Sequence, residues 1–227
     1  MSYTADDSAE FAALCRARQL YGEDEPVNIF YLEEEPARCA QAHVDRHVVK
    51  MVLETAQLLS TAWHVAEPDA VVRDLFFADL PGEAPPGECP AYPQVRLGAK
   101  GGRIYKATHV QHPCAVWARA SGANYSWLHQ LGTELCREYR HRYKRDHATA
   151  EVLHTLRKVP KLPRDQMNEP PCAMPEELKV LDAEGYYDTV QSYRRYYLAV
   201  KSPMFKWTNR RPPSWLRQTP DGVWSVR

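Results

Sequence analysis

Between His43 and Gln57 the chain reads HVDRHVVKMVLETAQ, and its order of polar and apolar positions is that of a helix. At about 100° per residue, His43, His47, Lys50, Glu54 and Gln57 fall on one narrow stripe. Nearly everything else is apolar: Val44, Val48, Val49, Met51, Val52, Leu53, Ala56, then Leu58 and Leu59. A surface helix has the opposite balance, with a broad polar face. A helix buried on most sides, with one thin titratable stripe, lines a cleft. Burial and neighbouring charges set pKa values for acid–base chemistry in such places.

The same patterning organises the rest. Asn28-Ile29-Phe30-Tyr31-Leu32 is a short apolar run that enters the core, and Pro36 suits the first turn of a helix continuing through the stripe to about Trp63. Residues 66–103, with LPGEAPPGECPAYP, read as a loop insertion holding at most a short helix at 68–78. Pro113 opens a helix running through Trp117. A long helix from Ser121 to about Tyr143 carries Tyr125, Leu128, Leu131, Leu135 and Tyr139 at helical spacing. The Pro-rich stretch 159–175 is an extended connector, and an aromatic helix spans Asp182 to about Lys201. No period-2 strand pattern is visible. The expected fold is mainly α: a compact single-domain helical fold with long irregular connectors. It divides into a 1–26 N-terminal extension, a 27–217 helical catalytic-type domain and a 218–227 C-terminal tail.

Bulk properties narrow the classes. At 227 residues with 44% hydrophobic positions the chain is long and apolar enough for a substantial core. No apolar run approaches the roughly 20 residues that span a bilayer, and MSYTADDSAEF lacks the regions of a signal peptide. A cytoplasmic, non-membrane, monomeric protein is expected. Cys15, Cys39, Cys89, Cys114, Cys136 and Cys172 contain no C-x-x-C pair and read as reduced thiols, not as a disulfide framework or zinc site. Net charge is zero but unevenly spread. Residues 1–40 are acidic, whereas Arg194, Arg195, Lys201, Lys206, Arg210, Arg211 and Arg217 succeed one another with no acid between. Such asymmetry suggests a polyanion contact.

Several constellations carry chemistry. In the stripe, Glu54 is the candidate general acid/base, charged or oriented by His47 and Lys50; the plain alternative is a solvated face of i,i+4 pairs. His43-x3-His47 also has the spacing of two metal ligands, which His109, His112, Glu134, Glu138 or His141 could complete in a helical bundle. His109, His112 and Asn124 either line the wall opposite the stripe or serve as caps and first-turn residues. Arg194, Arg195, Tyr196, Tyr197, Lys201 and Trp207 suit a surface where rings stack on bases and cations meet phosphates. Aromatic packing with snorkelling arginines would use the same residues.

Asp45-Arg46-His47, with Glu54 at a set spacing after it, resembles the first catalytic helix of the phage pyrimidine-dimer DNA glycosylases/AP lyases. His112-Pro113-x-x-x-Trp117 is similar to a segment of that family's bacterial relatives, and Leu131-Gly132-x-Glu134-Leu135-Cys136-x-Glu138-Tyr139-x-x-Arg142 to the next helix of those proteins. Tyr193-Arg194-Arg195-Tyr196-Tyr197-x-x-x-Lys201 resembles the family's C-terminal segment, which contacts the damaged base pair. The chain is also similar to an uncharacterised group of phage and bacterial proteins sharing NIFYL, HVVKM-x-x-ETAQLLSTA and H-x-x-HP-x-A-x-W.

The resemblance implies a cofactor-free, metal-independent enzyme that acts on a pyrimidine base or its N-glycosidic bond in DNA. Glu54 would be the acid/base and His47 its companion. The family's nucleophile is an α-amino group lying close to that Glu. Here the comparable region is Asn28-Ile29, preceded by the extension, so Lys50, one turn from Glu54, is the alternative amine. Hypermodification of a base or nucleotide, a catalytically inactive nucleic-acid-binding protein and the His/Glu metal enzyme are the competing readings.

Overall fold

A computed structural model describes residues 27–68 and 104–226. The expected extension 1–26 and nearly all of the 66–103 insertion, with its expected short helix, lie outside the described residues. The remainder is mainly α, as the periodicity predicts. In chain order the helices are α1 (Pro36–Ala42), α2 (Asp45–Ala66), α3 (Pro113–Ala118), α4 (Gly122–Tyr143), α5 (Ala150–Thr155) and α6 (Thr189–Tyr196). A π-helical turn, Tyr197–Lys201, extends α6. β1 (Leu216–Gln218) and β2 (Trp224–Val226) form an antiparallel ribbon with Leu216 opposite Val226. No helix among the described residues is long and apolar enough to cross a membrane.

The long helices α2 and α4 pack along each other, with α1 on α4 and α3 on α2. Their approach depends on Gly132: a Cβ there would lie 2.7 Å from Thr55 Cγ2 and 2.9 Å from Leu153 Cδ2. Only glycine lets α4 close down beside Glu54's neighbour. The run Ile29–Leu32 is buried as its composition predicts, and 159–175 is an extended strap. Asn124 fixes that strap to α4. Its carboxamide donates to Trp117 O and to Asn168 Oδ1, and accepts from Asn168 N–H.

The helix predicted from Pro36 to Trp63 is instead two helices, because His43 and Val44 are extended, with ψ of 138° and 161°. The break is stabilised by partners from distant parts of the chain. Trp207 Nε1 donates to Ala42 O and Arg142 to Gln41 O, so the terminal carbonyls of α1 are not orphaned. Asp45 N–H donates to Lys206 O at the start of α2. The helix predicted from Asp182 instead starts at Thr189, while its far end, through the π-helical turn, reaches Lys201 as expected. Asp182 Oδ1 accepts from the Glu184 and Tyr186 amides in a turn closed by Gly185 at φ +87°, and Asp188 caps the helix after it.

Under the α1–α2 break lies a buried ionic cluster. Arg142, whose side chain is fully buried, contacts Asp45 Oδ1 at 2.9 Å and Glu138 Oε1 at 2.7 Å. Arg210 makes a two-pronged contact with Glu138 at 2.6 and 2.7 Å. Thr208 donates to both Asp45 oxygens. Burial works to raise the Asp45 pKa, but the Thr208 hydrogen bonds and Arg142 outweigh it and hold the carboxyl below its usual range. Removing one member strands charge in a dry site. Arg142→Met keeps the buried stem yet leaves Asp45 and Glu138 without their shared cation. It is expected to lower the unfolding free energy by about 3 kcal/mol, read as a lower urea midpoint at an unchanged slope.

Candidate active site

The stripe on α2 divides as the helix packs. His43, His47 and Glu54 are buried, Gln57 is half-buried and Lys50 is 43% exposed. Lys50 Nζ lies 3.0 Å from Glu54 Oε1, the i,i+4 pair that one helical turn allows. The other oxygen, Oε2, accepts the backbone N–H of Asn28 at 3.0 Å. Glu54 thus sits at a buried junction between two nitrogens from separate parts of the chain.

Asn28 is held by its side chain. Oδ1 accepts from Ile29 N–H at 2.7 Å, Phe30 N–H at 3.2 Å and Tyr193 O–H at 2.8 Å, while Nδ2 donates to Ala173 O at 3.0 Å. This grip also stabilises Phe30 in a left-handed conformation, φ +50°, which a bulky residue rarely adopts. Leu32 N–H and Cys39 Sγ–H both donate to Phe30 O. The Phe30 ring stacks on His47 at 4.4 Å and on Tyr196 at 5.9 Å, with Tyr193 and Tyr197 edge-on. Sequence reasoning missed Phe30, and it reached Asn28 and Tyr193 only through the resemblance, as parts of the region comparable to the family's amine and of its C-terminal segment. The available signal was Asn28 itself, an amide side chain leading an otherwise apolar run into the core.

His47 Nδ1 and Tyr197 Oη share a hydrogen bond of 2.5 Å. Burial first, then the charges of His43, Lys201, Lys50 and Arg46, push the His47 pKa well below the ordinary value, so the imidazole is neutral at pH 7. Burial keeps Tyr197 and Tyr193 protonated. His43, bonded through Nδ1 to Cys39 O, is pushed down to about 4, again chiefly by burial. Buried Cys114 and Cys39 are pushed up to about 12, so neither thiol is a ready nucleophile.

Other expected site residues fall elsewhere. His112 caps α3, its Nδ1 accepting from Cys114 N–H, and His109 is exposed beside Thr108. Asn124 anchors the strap to α4. Tyr196, Tyr197, Trp207 and Lys201 are all buried, and Lys201 lies over the Phe30 and Tyr196 rings. Their placement therefore departs from a base-stacking surface: Tyr193, Tyr196 and Tyr197 form the inward stripe, and burial covers the ring faces a base would need. Arg194 pairs with Glu33, donates to Leu32 O and lies over Trp215; Arg195 is half-buried. The side chains proposed to complete a metal site are dispersed. Glu134 pairs with Arg137, Glu138 with Arg142 and Arg210, and His141 bonds Asn209 O. Among the described residues no three His, Cys, Asp or Glu side chains converge as ligands.

The buried histidines couple this site to pH. Unfolded His43 protonates near pH 6.5, whereas the folded side chain resists until about pH 4. Below 6.5 the unfolded chain binds the extra proton, so stability falls as pH drops through that window, by about 3 kcal/mol from His43 if nothing relaxes. Urea titrations from pH 7 to 4 are expected to show this loss, with a shallower slope in His43→Gln.

Residues 27–151, more than half of the chain, match the family model described as pyrimidine dimer DNA glycosylase. No curated protein and no solved structure matches. The matched span carries Asn28, His47, Lys50 and Glu54 and ends before Tyr193 and Tyr197.

Proposed function

The chain belongs to the pyrimidine dimer DNA glycosylase family, and we propose that it releases a pyrimidine base from DNA, with Glu54 at the centre of the chemistry. The observation that carries this reading is the Glu54 carboxylate lodged between Lys50 Nζ and the Asn28 nitrogen, each at 3.0 Å.

In the proposed reaction an amine attacks C1′ of the target nucleotide. The new N–C1′ bond replaces the C1′–N bond to the base, which departs with the electron pair. Glu54 takes the proton lost by the attacking nitrogen. Earlier in the same step its negative charge stabilises the positive charge developing on the sugar. Glu54 then returns that proton to O4′ as the C1′–O4′ bond breaks, and the opened sugar is left as a protonated imine, from which strand nicking can proceed by elimination. His47, neutral and held by Tyr197 and Phe30, forms the buried wall on the helical turn before Lys50.

Two nitrogens compete for the role of nucleophile. Lys50 is an amine as it stands. The Asn28 nitrogen is an amide while Val27 precedes it, and it becomes an amine in a chain that starts at Asn28. The side chain and downstream amides that grip Asn28 would remain in such a chain.

The first test is base release or nicking on ultraviolet-irradiated duplex. Glu54→Gln is expected to lower the rate at least about 10²-fold; equal rates in wild type and variant would remove Glu54 from the mechanism. The second is borohydride trapping on the same substrate. If Lys50 is the nucleophile, Lys50→Ala abolishes the protein–DNA adduct in the full chain. If Asn28 is, a chain starting at Asn28 and carrying Lys50→Ala still traps.

A further inference from the structure

Two kinds of bond fix Asn28. Its Oδ1 accepts from Ile29 N–H and Phe30 N–H, which belong to the same turn and shape it without locating it in the fold. The others reach the second half of the chain: Tyr193 O–H donates to Oδ1 at 2.8 Å, and Ala173 O accepts from Nδ2 at 3.0 Å. Bonds of this second kind set where the Asn28 nitrogen lies against Glu54.

Both depend on one hydroxyl. The Tyr193 proton is shared between Asn28 Oδ1 and Pro171 O, 3.0 Å away, and the phenol oxygen accepts from Ala173 N–H at 3.4 Å. It therefore fixes the end of the strap as well as the turn. The ring that carries it is fully buried, on the first half of α6. That part of the helix is itself secured: Asp188 caps it, Ser192 Oγ accepts from Val180 N–H at 2.8 Å, and Thr189 Oγ1 donates to Pro170 O at 3.1 Å. None of these contacts involves α2. The Glu54 carboxylate and the nitrogen it accepts from are thus carried by separate parts of the fold, and the Tyr193 hydroxyl ties one to the other.

We propose that Tyr193 is the positioning residue of the site, its hydroxyl registering the Asn28 nitrogen against Glu54 while touching neither base nor sugar. This deepens the reading of Glu54 as the reacting group and rests on it. It departs from what the resemblance implies for this segment, because a fully buried ring cannot lie on a base pair. If the Asn28 nitrogen is the nucleophile, Tyr193 orients the nucleophile. If Lys50 is, Tyr193 holds the donor that fixes the other oxygen of the carboxylate. In both cases a misplaced group costs rate, although substrate still binds.

The test compares Tyr193→Phe with Tyr125→Phe. Each removes a hydroxyl from a buried ring, and that of Tyr125 bonds Leu156 O and Trp63 Nε1, away from Asn28. Two quantities are measured on the full chain: hydrogen exchange of the Asn28 amide, and kcat and KM for base release from ultraviolet-irradiated duplex. Both variants are expected to melt at lower temperature than wild type. Tyr193→Phe alone is expected to speed Asn28 exchange about tenfold and to lower kcat about tenfold at unchanged KM. Equal effects of the two variants would make the hydroxyl structural only and overturn the proposal. Asn28 exchange at the wild-type rate, or faster exchange with kcat unchanged, also overturns it and leaves the reading of Glu54 standing. A raised KM at constant kcat would put Tyr193 in substrate binding, again overturning it. A wild type that releases no base overturns the reading of Glu54 and the catalytic half of this proposal, and Asn28 exchange then decides the structural half.

Discussion

The buried guanidinium of Arg142 is the constraint on which the architecture turns. A cation that leaves water completely must find compensating charge and hydrogen bonds, or the fold loses several kcal/mol. Here it finds Asp45 from the start of α2, Glu138 from its own helix and the Gln41 carbonyl from α1. Each partner fixes something beyond the ion pair. Asp45 ends the extended break after His43 and receives Thr208, bringing the C-terminal segment under the helices. Glu138 receives Arg210, fixing the same segment to α4. Because the break sets where α2 begins, it also sets the rotation of the helix. That rotation puts His47 and Glu54 inside and leaves Lys50 at the surface.

The second dependence runs from the C-terminal half back into the site. Tyr193 supplies a hydroxyl to Asn28 Oδ1, Ala173 accepts from Asn28 Nδ2, and Tyr197 bonds His47. None of the three lies within residues 27–151. The matched part carries Asn28, His47 and Glu54, and the C-terminal part holds Asn28 and His47 in place. A buried tyrosine hydroxyl needs a hydrogen-bond partner, so the aromatic helix and the Asn28 turn satisfy one another. The strap 159–175 does the same job on its outer side, since Asn124 and Trp117 bind Asn168 while the strap's end carries Ala173.

How much of the fold is legible in the sequence depends on which forces act locally. Helical periodicity and proline at the first turn depend on neighbours in the chain, so α3 and α4 lie close to their expected bounds. The same rule fails at His43–Val44. The groups that stabilise the break, Trp207 and Arg142, are far away in sequence and their partnership is invisible in a pattern. Glu54, His47 and Lys50 are legible because one helix carries all three. Asn28 is not legible in the pattern and enters only through the resemblance, because its significance lies in a contact with Glu54 across 26 positions. The charge asymmetry is only partly legible for a related reason. Arg194 pairs with Glu33 and Arg210 with Glu138, whereas Lys206, Arg211 and Arg217 are exposed. Segments distant in sequence neutralise each other once folded.

That pairing bears on how the site could work. With Arg194, Arg210 and Lys201 committed to contacts within the fold, Lys50 is a cation that joins Glu54 to water, pairing with the carboxylate at 3.0 Å while 43% of its side chain stays exposed. A substrate approaching there meets charge before it meets the carboxylate, and the carboxylate lies one layer deeper, behind Lys50. One Glu54 oxygen is on the Asn28 nitrogen and the other on Lys50 Nζ, so any group that reaches the carboxylate must displace or recruit one of these two nitrogens.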